Sequence, residues 1–174
     1  YNNVKLSLPP IDEEILALNP REQLLTQIEP VLLGNGFIEI ITDSFYSANE
    51  VKLLSELDAA SAAQHVPLTN SIESSVSHLN INNLINFALL ASFNSRKGVL
   101  TCKVYEIGKF FGLTGPNAHP SDPQYPFERD VLSIAAYGRW YDNEFGKGSS
   151  AATSLLLLKG LIDNMLGTLG GELS

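Results

Sequence analysis

The groups with which this chain could do chemistry are three histidines, one cysteine, and a scatter of serines and acidic residues. His65, His78 and His119 stand in unrelated contexts, none with a second ligand at metal spacing. They read as solvated or core histidines, and no zinc set is drawn from them. A serine hydrolase needs its nucleophile on a sharp Gly-x-Ser-x-Gly turn. That turn is missing, so the serines, histidines and aspartates make no recognisable triad. Asp142 and Glu144 lie in what reads as a solvated acidic turn, not a general acid and base pair. Gly146-Lys147-Gly148-Ser149-Ser150 has the composition of a phosphate cradle. It lacks the spacing of a P-loop, whose first glycine stands several residues ahead of its Gly-Lys pair, and reads as a turn. Trp140 with Tyr137 and Tyr141 has the surface to stack on a base, but aromatics at a strand end ordinarily pack. Cys102 reads as a small buried hydrophobe; a lone cysteine excludes an internal disulfide and fits a reducing compartment. The residues alone assign no catalytic, cofactor-binding or metal-binding position.

The remaining evidence lies in the elements that position these groups. At 174 residues and 44% hydrophobic content the chain is long enough for one well-buried core. A formal charge of -8 argues against a surface that grips nucleic acid through its phosphates, so any RNA contact should be local. No apolar run approaches the length of a membrane span, and a soluble, cytoplasmic protein is expected. The start at Tyr1 suggests a piece of something larger.

Residues 1–14, with Pro9-Pro10, read as an extended lead-in, and 15–174 as the domain proper. Asn19-Pro20 with Glu22 forms a capping box, and Leu24, Leu25, Ile28, Val31 and Leu32 make one stripe on the helix that follows. Pro30 should kink that helix and Gly34-Asn35-Gly36 should end it. A strand is expected over Phe37–Phe45 and a second capping box at Ser47-Ala-Asn-Glu50. The helix it opens should carry Leu53, Leu54 and Leu57. Further expectations are a strand over 65–70, a helix over 81–94 with Ile81, Leu84, Ile85, Ala88 and Phe93 as core positions, and strands over 100–111 and 129–141. A proline-rich loop should span 112–127, a glycine-rich turn 143–150, and a last helix 151–169. Because the two longest strands are joined by a loop and not by a helix, the pattern predicts an α+β fold with a mainly antiparallel sheet flanked by helices.

Three ordered blocks carry a resemblance. They are Leu33-Gly-Asn-Gly-Phe-Ile-Glu-Ile-Ile-Thr-Asp-Ser-Phe45, Cys102-Lys-Val-Tyr-Glu-Ile-Gly-Lys-Phe-Phe111 and Leu158-Lys-Gly160, with Ser75-Val76 and Asn94 between them. In order and spacing the set resembles the C-terminal core of the beta subunit of bacterial phenylalanine-tRNA ligase, over roughly residues 15 to 170. The resemblance implies the class II aminoacyl-tRNA synthetase-like core, an antiparallel sheet backed by helices. It also implies a core without chemistry of its own, whose alpha subunit partner attaches phenylalanine to tRNA with ATP and magnesium in an alpha-two beta-two assembly. Working class II enzymes clamp ATP with an arginine in an "f-R-x-E" strand and another in a late "G-x-G-x-x-R" motif. The arginines here are Arg21, Arg96, Arg129 and Arg139, and none fits either pattern. The proline of the first class II motif is Asp43. The family pattern is also broken at His78 (commonly arginine), at Asn83-Leu84 (commonly Pro-Gly) and at Leu157 (commonly acidic).

The resulting expectation is a beta-subunit core with no cofactor of its own, ATP and magnesium belonging to the complete enzyme. Leu24, Leu25, Ile28, Leu32 and Phe37 are candidates for its contact with the alpha subunit, with simple core packing as the rival reading. The alternative function is a stand-alone class II-like paralogue acting as a regulatory or binding module.

Overall fold

The computed structural model describes residues 3, 7, 8, 19–71, 73, 76–113, 126–141 and 152–170. Most of the expected lead-in, the interior of the proline-rich loop and the glycine-rich turn, with His119, Asp142, Glu144 and Ser75, lie outside the described residues.

The first helix, α1 (Pro20–Gly34), begins as its sequence dictates. The Asn19 side chain accepts the Glu22 amide at 2.9 Å and the Glu22 carboxylate accepts the Asn19 amide at 3.3 Å. The helix runs on through Pro30. The Asn35 side-chain amide then donates to the Val31 carbonyl, and Gly36, at φ 78°, turns the chain through a region open chiefly to glycine.

The expected strand over 37–45 is two short ones in different sheets, β1 (Ile38–Glu39) and β2 (Phe45–Tyr46). The ladder runs only as far as the Ile40 amide, which bonds the Tyr105 carbonyl. The next amide with a partner across the sheet, that of Thr42, is taken by a carboxylate side chain, and the chain leaves the plane. A second capping box, Ser47 with Glu50, opens α2 (Ala48–Leu57), of which only Leu54 is buried; Leu53 and Leu57 face outward. A short α3 (Ala59–Ala62) follows. The expected strand at 65–70 contributes one bridge, Pro67 to His78, flanked by the Leu68 amide on the Ser77 carbonyl and the Leu79 amide on the Val66 carbonyl; the Ser77 amide bonds the Tyr46 carbonyl of β2 and does not extend it. β3 (His78–Leu79) pairs antiparallel with β2.

Helix α4 starts later than expected, at Leu84–Arg96. Asn83 is its cap and the Asn82 side chain accepts the Leu84 amide. Ile81 and Ile85 are buried as expected, whereas Leu84, Ala88 and Phe93 are exposed; Leu84 and Ala88, with Phe87, Leu90 and Ala91, line a cavity between the helix and the sheet. β4 (Cys102–Gly112) and β5 (Phe127–Tyr137) pair antiparallel along their whole length, from Cys102 opposite Tyr137 to Gly112 opposite Phe127. β5 ends short of 141 because Gly138, at φ 82°, turns the chain. A Cβ there would stand 2.0 Å from the Leu100 carbonyl oxygen. The last helix, α5 (Leu155–Thr168), begins at the Ser154 cap and not at 151.

The main sheet has the order β1-β4-β5, with β1 parallel to β4. Alternation along the strands gives it two faces. One carries Tyr105, Ile107, Leu132, Ile134 and Ala136, and it packs with Phe37 and Trp140 against Ile28 and Leu32 of α1 and Leu161 and Met165 of α5. The Phe37 and Trp140 rings meet edge to face at 5.7 Å. The other face carries Cys102, Val104 and Glu106 and lies toward α4. A smaller cluster of Tyr46, Leu54, Ile81 and Ile85 holds α2 and the β2–β3 ribbon to the start of α4.

The register of α1 is open to a paired test. Leu32 is fully buried and its neighbour Leu33 is 58% exposed. Leu32→Ala should cost about 2–5 kcal/mol in urea denaturation, and Leu33→Ala should stay within about 0.5 kcal/mol of the parent.

Candidate functional site

The most heavily bonded polar group in the interior is the carboxylate of Glu106, midway along β4 and 8% exposed. Its Oε1 accepts the Thr42 amide at 3.0 Å; its Oε2 accepts the Thr42 hydroxyl at 2.8 Å and the Asn83 side-chain amide at 2.7 Å. Asn86 extends the network. Its amide donates to the Thr42 hydroxyl at 2.8 Å and to the Asp43 carbonyl at 2.9 Å. Asn80, also buried, donates to Asn83, and its backbone accepts the Phe111 amide. One carboxylate thus joins the turn after β1, the cap of α4 and the middle of the sheet. Both Thr42 and Glu106 lie inside the sequence blocks that carry the resemblance, but a pair 64 residues apart leaves no spacing signal.

Beside this network, Tyr46 is fully buried and its hydroxyl donates to the Asn82 carbonyl; burial pushes its pKa up to about 12. His65 is buried between Tyr46 and His78, with ring centroids 5.5 and 6.1 Å away. Its Nδ1 donates to the Leu79 carbonyl at 3.0 Å, and Nε2 has no hydrogen-bond partner among the described residues. The His78 Nδ1 lies 2.7 Å from the Ser77 hydroxyl. Burial, and secondarily the neighbouring His65, hold the His78 imidazole below its ordinary value. Burial likewise raises the Cys102 thiol, which suits an unreactive packing role.

None of the described arginines enters the Glu106 network. Arg21 pairs with Asp130 at 3.3 Å between α1 and β5, Arg96 donates to the Ser92 carbonyl, and Arg129 lies over the Phe127 ring. Lys103 donates to the Asn35 carbonyl and sits 4.9 Å from the centre of the Trp140 ring. On this face of β4, Cys102, Val104, Glu106, Gly108 and Phe110 follow one another, with Arg129 of β5 opposite Phe110 at one end, so the charge at the middle of the face is negative. Polyphosphate calls for the opposite sign, so the middle of the face does not fit ATP. No cluster of three or more His, Cys, Asp or Glu suited to a metal occurs among the described residues.

The structure divides the five candidate interface residues. Ile28, Leu32 and Phe37 are buried in the main core, Leu25 is partly exposed, and Leu24 is 41% exposed, both lining a crevice between α1 and the β4–β5 pair. Of the departures from the family pattern, Asn83 holds Glu106, His78 sits in β3, and Leu157, in the first turn of α5, is partly buried against the core.

A long antiparallel pair, a parallel edge strand and helices over the sheet define a synthetase-type core of class II. The chain matches two solved structures of pyrrolysyl-tRNA synthetase from Desulfitobacterium hafniense, each with a TM-score of 0.60 and 15% identity. The matches cover 88% and 87% of this chain and 46% and 48% of those. That likeness is one of fold. The chain belongs to the family of the phenylalanyl tRNA synthetase beta chain CLM domain, whose model matches residues 5–174. It is also 27% identical over 172 residues to a phenylalanine–tRNA ligase beta subunit of Syntrophus aciditrophicus (strain SB). That match covers 97% of this chain, which spans 20% of the subunit's length. Among the described residues no helix is long and apolar enough to cross a membrane.

Two measurements check the site. Glu106→Gln turns an amide N–H toward one of three donors and should cost about 1–3 kcal/mol of stability; a variant as stable as the parent would show that the network is idle. For His78 the folded-state pKa lies below the unfolded value of about 6.5. The unfolded chain therefore binds more protons in the window beneath it, and stability should fall as pH drops from about 6.5. His78→Gln should flatten part of that decline in urea titrations at stepped pH.

Proposed function

We propose that this chain is the non-catalytic, synthetase-like core of a phenylalanine-tRNA ligase beta subunit. It assembles with the alpha subunit in an alpha-two beta-two enzyme of the cytoplasm. The alpha subunit joins phenylalanine to its tRNA using ATP and magnesium, and the domain described here supplies support, not chemistry. The observation that carries the reading is Glu106. In a family built on a synthetase fold, the middle of this sheet face holds a carboxylate already occupied by Thr42 and Asn83, with none of the described arginines beside it. Fold and activity are separable, and here the fold is kept for its shape.

The five α1 and Phe37 residues then act in two layers. Leu24 and Leu25, the more exposed of the five at the crevice between α1 and the β4–β5 pair, make the contact with the alpha subunit. Ile28, Leu32 and Phe37 hold that helix from beneath. An exposed leucine on a helix anchored in this way meets a partner with little reorganisation, since its backbone is already fixed.

Two results are expected. The isolated domain should give no phenylalanine-dependent ATP–pyrophosphate exchange, and a signal surviving removal of contaminating synthetase would sink the non-catalytic reading. Leu24→Asp should leave the domain folded by circular dichroism while the full subunit no longer co-purifies with its alpha partner. Ile28→Asp should unfold the domain itself, because an uncompensated buried charge costs several kcal/mol out of roughly 5–15. A folded Leu24→Asp subunit that still co-purifies would remove Leu24 from the contact.

A further inference from the structure

The main sheet ends on an 11-residue strand. In the order β1-β4-β5, nothing among the described residues pairs with the outer side of β5. Which of its backbone groups lie there follows from β4. The Tyr105 carbonyl accepts the Ile40 amide, and the Phe111 amide donates to the Asn80 carbonyl. The odd-numbered residues of β4 thus turn their backbone groups away from β5, and the even-numbered ones turn theirs toward it. Those even-numbered residues stand opposite odd-numbered ones of β5, from Cys102 with Tyr137 to Gly112 with Phe127. The amides and carbonyls left on the outer edge are therefore those of Glu128, Asp130, Leu132, Ile134 and Ala136. Past Tyr137 the Thr153 amide takes the Gly138 carbonyl at 2.8 Å, and the chain then turns away at the Ser154 cap of α5.

Edge strands are ordinarily guarded by charge, proline or a bulge. Here the guard stands at one end only, in Glu128, Arg129 and Asp130, where Glu128 pairs with Lys109 and Asp130 with Arg21. From Val131 to Tyr137 the strand has no charged residue, proline or glycine, and it follows β4 without a break. Such an edge is complemented by an extended backbone, and this one is complementary to itself. We propose that β5 pairs with β5 of a second copy of the chain, antiparallel about a two-fold axis at Leu132, joining two three-stranded sheets into one of six. In that register Leu132 faces Leu132, Asp130 faces Ile134 and Glu128 faces Ala136, so all five outward residues of each copy exchange bonds with the other. No charged residue faces another, and Phe127 meets Tyr137 at both ends as an aromatic cross-strand pair. An axis at Asp130 would instead oppose the two Asp130 carboxylates, and one at Arg129 would set Glu128 against Asp130. The edge adjoins the crevice at Leu24 and Leu25, but it binds through backbone groups and does not rest on the alpha-subunit contact.

Sedimentation velocity of the complete 174-residue chain tests the pairing. The sedimentation coefficient should rise with concentration from a monomer's to a dimer's. Ala136→Pro removes an amide that points outward and keeps every bond to β4, so it should weaken the dimer by about tenfold or more with circular dichroism unchanged. Ala135 faces Arg129 of the second copy in this register, so Ala135→Arg should weaken the dimer several-fold and Ala135→Glu should tighten it. That pair serves if the proline variant misfolds. Leu24→Asp should leave the dimer intact, which separates this contact from the one with the alpha subunit. A chain that stays monomeric throughout, or a dimer indifferent to Ala136→Pro and to the charge pair, would overturn the proposal. So would a dimer that Leu24→Asp dissolves. In hydrogen exchange the Leu132, Ile134 and Ala136 amides should be fast in dilute solution and slow in the dimer. Slow exchange in the dilute monomer would show that the chain covers its own edge, and would overturn the proposal equally.

Discussion

The organisation of this domain depends on one buried carboxylate. Glu106 sits where the sheet is covered on both sides, and a charge in such a place is tolerated only when its hydrogen bonds are complete. Thr42 and Asn83 complete them, and so each is fixed. Fixing Thr42 takes the chain out of the sheet after Ile40, which limits β1 to a short parallel edge and sends the next residues into the β2–β3 ribbon. Fixing Asn83 sets where α4 can begin. Three segments distant in sequence thereby share one register.

Local structure was legible wherever the determinant is local. Both capping boxes, the Gly36 turn and the long β4–β5 pair follow from residues a few positions apart or from alternation along a strand. Expectation and structure part where a distant group decides. A run of Ile, Phe and Thr over 37–45 has every local property of one strand, yet a side chain on β4 takes the Thr42 amide. Leu84, Ala88 and Phe93 have the spacing of a buried stripe, and they are exposed because Ile85 is the residue of α4 that packs with Tyr46 and Leu54, while a cavity remains between the helix and the sheet beside Leu84 and Ala88. Periodicity tells which residues share a face; it does not tell which face the rest of the molecule needs. The same limit explains why Ile28 and Leu24, one helical turn apart and beside the same crevice, differ in exposure.

A synthetase-type sheet is commonly thought of through the nucleotide it holds. In this chain the corresponding architecture carries a self-contained polar cluster, and among the described residues Arg21, Arg96, Lys103 and Arg129 lie in contacts outside it: with Asp130, with backbone carbonyls and against aromatic rings. The sheet interior is occupied with holding itself together, and the surfaces left for other molecules lie at the edge of the sheet and beside α1.

The packing of α1 against α5 has a consequence for how the molecule is made. The core that buries Ile28 and Leu32 also requires Leu161 and Met165, about 130 residues further along. A ribosome adding about 5–20 residues per second needs on the order of 10 seconds to cover that distance. During that interval the β4–β5 hairpin can form and cover part of the apolar stripe of the first helix, and the part that α5 covers stays open. The stripe of the first helix is therefore fully covered only once α5 has been made.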